Sequence, residues 1–184
     1  MVTRLTDPRK LDVEAFARAA GVLEGQWPLL ALARLAESAC LEAPDDRDRS
    51  VGWAARGELR QVASAPAEIW LHLSVRAELP LRCQRCLQPT LTAIDAQRSF
   101  RFVPGETAAA ELDAECEDDI LALTRALDLQ ELIEDEALLA LPLVPKHEQC
   151  PQPLELGAGH DDTDDGPAHP FAVLAGLKRD RRPN

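Results

Sequence analysis

Three runs of two-residue alternation, over 51–59, 69–79 and 92–102, constrain this chain more than any other feature. In the second run Ile69, Leu71, Leu73, Val75, Ala77 and Leu79 alternate with Trp70, His72, Ser74, Arg76 and Glu78. Successive side chains of a strand point to opposite faces, so the pattern predicts a strand with one covered and one wet side. Val51, Trp53, Ala55 and Leu59 show the same period before it, and Ile94, Ala96, Phe100 and Phe102 show it after. Connections between the runs are short, which predicts an antiparallel meander.

Helical signals flank the meander. Asp12 is placed to cap a short helix from Val13, with Phe16 and Ala17 on one side and Gly21 at its end. Pro28 opens a second stretch in which Leu32, Leu35, Ala36 and Ala39 recur at helical spacing. Residues 44–50 and 105–119 read as loops, and 120–123 as a short strand. Asp128, with Glu131 three positions later, forms an Asp version of the capping box and predicts a helix over about 129–141. Its Leu132, Ile133, Ala137 and Ala140 are expected inward, and Glu131, Glu134 and Asp135 outward. Pro142 and Pro145 end it.

The fold class expected is therefore α+β, an antiparallel β-meander covered by helices. Residues 1–150 make one domain carrying a C-x-x-C hairpin. Residues 151–168 read as a flexible acidic linker, and 169–184 as a short amphipathic docking helix with Phe171, Leu174 and Leu177 on one side, then a basic tail. With 46% hydrophobic residues in 184, the chain can fill a core. No run of about 18 apolar residues spans a membrane, and residues 1–11 lack the apolar segment of a signal peptide. A cytoplasmic protein is expected.

Five cysteines, Cys40, Cys83, Cys86, Cys116 and Cys150, form an odd, irregular set that suits thiols or metal ligands better than a disulfide framework. Cys83 and Cys86, between two antiparallel strands, aim two thiols at one point. That is half of a tetrahedral zinc site. His147 and Cys150 supply a second pair, with Cys116 as a spare. The alternative is a pair of reduced thiols in a hairpin turn. A thioredoxin-type redox role fits less well, because that pair needs a strand-to-helix junction.

Charge is divided unevenly. Residues 104–168 hold 18 acidic and 2 basic side chains, against 14 acidic and 18 basic in the rest, within a total of −12. Such a block repels phosphate and suits a basic protein partner, with Asp161, Asp162, Asp164 and Asp165 as candidate contacts; a solvated face is the plainer reading. Arg76, Arg82, Arg85 and Arg101 are candidate contacts to RNA phosphates, or else members of ion pairs on a wet sheet face. Aromatics are only 4% with no Tyr, which disfavours a base-stacking module. There is no G-x-S-x-G, G-x-G-x-x-G or P-loop sequence, and no small-molecule substrate or catalysis is expected.

In order, the chain reads strand, Cys83-Gln84-Arg85-Cys86-Leu87, strand, acidic stretch, and then Leu127-Asp128-Leu129-Gln130-Glu131-Leu132-Ile133-Glu134-Asp135-Glu136. It continues through Leu141-Pro142-Leu143-Val144-Pro145-Lys146-His147 and closes on His169-Pro170-Phe171 through Lys178. From about Trp53 to Lys178 this resembles the YceD family of large-subunit ribosomal RNA accumulation proteins. His169 stands where that family more often has Asn. The resemblance implies a non-catalytic role in the synthesis, processing or stability of 23S ribosomal RNA. It also implies that Cys83, Cys86 and the stretch around His147 and Cys150 belong to a shared pattern. Genes of that family commonly neighbour one for a small basic large-subunit ribosomal protein, so the partners it implies are that protein or the RNA. A zinc-bearing protein–protein adaptor outside the ribosome is the other functional class.

Overall fold

A computed structural model of the chain describes residues 7–63 and 65–151. The expected linker beyond Pro151, the expected C-terminal helix and tail, and the candidate contacts Asp161, Asp162, Asp164 and Asp165 lie outside those residues.

The three alternating runs become the three central strands of a sheet. They are β2 (Ser50–Arg60), β3 (Glu68–Arg82) and β4 (Pro89–Val103), preceded by β1 (Val22–Pro28) and followed by β5 (Asp119–Ala122). Spatial order follows chain order, β1-β2-β3-β4-β5. Pairing is antiparallel except that β5 runs parallel to β4, with Arg101 opposite Ile120. In the sheet, Trp53 pairs with Val75 and Val75 with Ala96, so the odd-numbered residues of β2 and β3 share one inner face. Leu71, Val75 and Leu79 on that face are completely buried.

Helices α1 (Val13–Arg18), α2 (Ala33–Ser38) and α4 (Leu129–Leu139) supply the other half of the core. Val13, Leu35, Leu129, Ile133 and Ala137 join the inner-face residues in one buried cluster. Asp12 caps α1, its side chain accepting from Ala15 N at 3.0 Å. Asp128 caps α4, accepting from Gln130 N and Glu131 N. The α1 backbone comes so close to β2 that a Cβ on Gly57 would sit 2.8 Å from Ala17 Cα. Leu11 and Leu127 exchange two backbone hydrogen bonds of 2.9 Å, which ties the start of the domain to the segment feeding α4.

Several elements differ from the sequence expectation. Residues 22–28 form β1, an edge strand, although Gly25 and Pro28 argue against strand there. The Trp53 indole lies closely over Gly25, 3.1 Å from where a Cβ would be, and Trp53 in turn stacks on Trp27 with ring centroids 4.5 Å apart. The helix expected from Pro28 is divided into a 3-10 turn, Leu29–Ala31, and α2. Part of the expected 105–119 loop is α3 (Glu106–Asp113), which buries only Ala109. An alanine-rich helix with so little apolar surface leaves no hydrophobic stripe, and its propensity was the only available signal.

Two carboxylates of α4 are also buried, of which Glu134 was expected on the wet side. Glu134 and Glu136 are 9% and 6% exposed. Glu134 accepts from Arg34 N and Leu35 N at 2.8 and 3.1 Å, and Glu136 from Arg98 Nε at 3.2 Å. Both carboxylates are satisfied by groups about a hundred or forty residues away, which no local pattern announces. Burial raises Glu136, with Arg98 opposing. On the outer sheet face Trp70 is 5% exposed, roofed by the Arg60 guanidinium 4.3 Å from its ring centroid and bonded through Nε1 to Glu68.

Candidate metal centre

The long β3–β4 ladder ends at Arg82 opposite Pro89, and the turn between them carries the C-x-x-C pair. Leu87 N donates to Cys83 O at 2.9 Å and Cys83 N to Gln88 O at 3.0 Å, which closes the turn. Leu87 adopts φ 63°, the left-handed conformation that a turn this tight demands. The chain after α4 comes back to the same end of the sheet. Pro145 O accepts from Gln84 N at 2.8 Å, and residues 147–150 then lie across the turn.

This convergence brings Cys83, Cys86, His147 and Cys150 together, their ligand atoms all within 4.8 Å of one another. Cys83 Sγ and Cys150 Sγ are 3.9 Å apart, and Cys86 Sγ and His147 Nδ1 3.4 Å. Tetrahedral geometry with zinc–sulfur bonds of about 2.3 Å and a zinc–nitrogen bond of about 2.0 Å requires separations of about 3.8 and 3.5 Å. The four groups could hold a metal ion. His147 supports this through its other nitrogen, since Nε2 lies 3.0 Å from Pro89 O. A carbonyl can only accept, so Nε2 carries the proton and Nδ1 presents its lone pair.

The electrostatics fit a thiolate centre. Burial pushes the Cys83 thiol up, but backbone N–H groups of Cys86, His147 and Arg85 and the His147 side chain outweigh it and hold it at about 5. Burial and the neighbouring thiols of Cys150 and Cys83 raise Cys86, against a backbone N–H of Gln88. One sulfur is thus poised as an anion while another resists becoming one. A divalent cation among them would resolve the conflict. Cys116 takes no part, its Sγ facing Leu112 O at 3.1 Å, and Cys40 is buried elsewhere.

The four candidate RNA contacts fall differently. Arg101, Arg76 and Arg82 sit at or opposite positions 70, 76 and 82 of β3, spread over about 40 Å at the usual strand rise. Each meets a carboxylate: Arg101 with Glu68 at 3.1 Å, Arg76 with Asp95 at 3.1 Å and Arg82 with Glu42 at 2.9 Å. Arg85 turns into the cluster, its Nε 2.9 Å from Cys150 Sγ, and Cys150 raises its guanidinium further. Alternation places Glu58 and His72 on the wet face, and the structure joins them there. Glu58 receives Arg56, Arg60 and His72, and His72 also meets Ser99 at 2.8 Å. His72 chiefly holds Glu58 below the usual carboxylate range, against burial. No described helix is long and apolar enough to cross a membrane.

Comparison with known proteins bears on the same stretch. The family described as "Large ribosomal RNA subunit accumulation protein YceD" matches residues 71–178, which include all four cluster residues. A protein of that name from Haemophilus influenzae is 34% identical over 110 residues, 57% of this chain and 63% of the relative. The chain thus spans somewhat under two thirds of that relative's length. No solved structure matches.

Proposed function

The chain belongs to the YceD family of large ribosomal RNA subunit accumulation proteins, and on that premise we propose that it is a non-catalytic factor supporting large-subunit ribosomal RNA. In this reading one zinc ion is held by Cys83, Cys86, His147 and Cys150, and the partner is a basic large-subunit ribosomal protein. The observation that carries it is the completeness of the cluster. Four protein ligands fill a tetrahedral shell, whereas a catalytic zinc keeps a position open for water. The ion serves as a staple that fixes the β3–β4 turn to the post-α4 loop.

Charge favours protein over RNA as the first contact. The acidic block of 104–168 repels phosphate, and Arg76, Arg82 and Arg101 already face carboxylates. Direct RNA contact through those arginines would require breaking three ion pairs; the exposed Arg76–Asp95 and Arg82–Glu42 pairs are worth about 0–1 kcal/mol each, and the Arg101–Glu68 pair is half-buried.

Gradient sedimentation of the tagged full chain from a bacterial lysate, with and without ribonuclease, tests the proposal. Co-migration with large-subunit precursors is expected, together with a basic ribosomal protein that stays bound after ribonuclease. Retention only through intact RNA would transfer the contact to the arginines. A chain that stays at the top of the gradient at low salt would leave the adaptor role outside the ribosome as the better account.

A further inference from the structure

Arg85 stands between the two cysteines of the turn, where an exposed arginine invites a nucleic-acid reading. Its donors are committed elsewhere. Nε reaches Cys150 Sγ at 2.9 Å, and one terminal nitrogen reaches His147 O at 3.0 Å and Glu148 O at 3.4 Å. One guanidinium on the first half of the cluster therefore grips the side chain of one ligand in the second half and the backbone of the other.

Resting on the metal reading above, we infer that Arg85 is a positioning residue of the metal centre. It docks the 147–150 loop onto the C-x-x-C turn and balances the charge of the site. Three thiolates and a divalent ion leave one net negative charge, and a guanidinium bonded to a thiolate sulfur cancels it locally. The planar fork matters as well as the charge. A lysine ammonium is a point donor and cannot span a sulfur and two carbonyl oxygens at once. Arg82, at the end of β3 beside the turn, does different work, bonding Leu87 O and Glu42. Arg76, facing Asp95 on the outer sheet face, has no part in the site.

Chelator competition for zinc on the full chain under reducing conditions measures the effect. Substituting a group that orients a metal ligand commonly weakens binding about 10–100-fold. That loss is expected for Arg85→Gln, with partial recovery in Arg85→Lys and parental affinity in Arg76→Gln. Cobalt loading supplies a readout that a merely structural role would not move, because removing a donor from the Cys150 sulfur shifts the sulfur-to-cobalt charge-transfer band. Should Arg85→Gln lose its native circular dichroism, Arg85→Lys carries the test. Weakened zinc binding with a shifted cobalt band supports the inference, and parental affinity with an unshifted band overturns it. If the parent chain itself takes up neither ion, the metal reading falls first and this inference with it.

Discussion

Replacing Glu134 with alanine should destabilise the domain by more than any other single change to an ionised side chain of α4. Helix α2 begins without a cap of its own, since Leu32 at its N-cap offers no side-chain acceptor. Glu134, reaching across from α4, fills that role. Its Oε1 accepts from Arg34 N and Leu35 N, and its Oε2 meets the Arg34 guanidinium at 3.1 Å. Alanine would orphan two first-turn N–H groups. The Leu35 amide belongs to a residue with no exposure at all, so water cannot replace the lost partner there. An unsatisfied buried donor costs about 1–3 kcal/mol. The Arg34 amide is only partly buried and adds about 1 kcal/mol or less. Their sum, with the lost charge at a helix N-terminus worth about 0.3–1 kcal/mol, gives about 1–5 kcal/mol. Glu134→Gln keeps an acceptor and should lose about 1 kcal/mol. Urea unfolding followed by tryptophan fluorescence measures the difference at unchanged slope. Glu37→Ala on the exposed side of α2, past its first turn, serves as control, within about 0.5 kcal/mol of the parent. If Glu134→Ala matched that control, the cross-helix cap would carry no energy and the reasoning would be wrong.

Two further outcomes follow from the same packing. Gly57→Val should cost about 1–3 kcal/mol or more in the same assay, because the added carbons meet the α1 backbone, which cannot move without opening the core; an unchanged midpoint would show that α1 is free to shift. Asp46 is held below the usual carboxylate range chiefly by the Ala43 N–H, then, against burial, by Arg49. A carboxylate depressed in the folded state contributes stability that is present above its unfolded value and lost as pH falls through the folded one. Asp46→Asn should therefore flatten the fall in stability below about pH 4, and a parallel acid limb in parent and variant would contradict that assignment.

The parts of the fold legible in the sequence are those with local causes. Alternation marked β2, β3 and β4 because each buries one side against helices, and Asp12 and Asp128 marked two helix starts because a cap acts within one turn. The metal cluster was legible as two pairs of ligand-bearing residues, since ligand chemistry shows in residue type. Its assembly was not, because 61 positions separate Cys86 from His147 and only the return of the chain after α4 joins them. Arg85 misled for a related reason: charge and position suggested a phosphate contact, while its partner was a sulfur 65 positions away. Glu134, Glu136 and Trp70 carry the same lesson. Glu134 and Glu136 are buried because amides or an arginine from distant elements satisfy them, and Trp70 is covered on the outer face by Arg60 of the neighbouring strand.

The metal centre holds the proposed account together, and native mass spectrometry of the full chain, purified under reducing conditions without chelator, tests it most directly. One zinc ion per chain is predicted for the parent, with the ion lost in Cys83→Ser and Cys150→Ser and retained in Cys116→Ser, whose thiol faces Leu112 O instead. Because ligand binding to the folded state is folding free energy, chelation should also lower the melting temperature of the parent and leave Cys83→Ser unmoved. A parent chain that carries no metal, and melts at the same temperature with chelator and with added zinc, would contradict the claim.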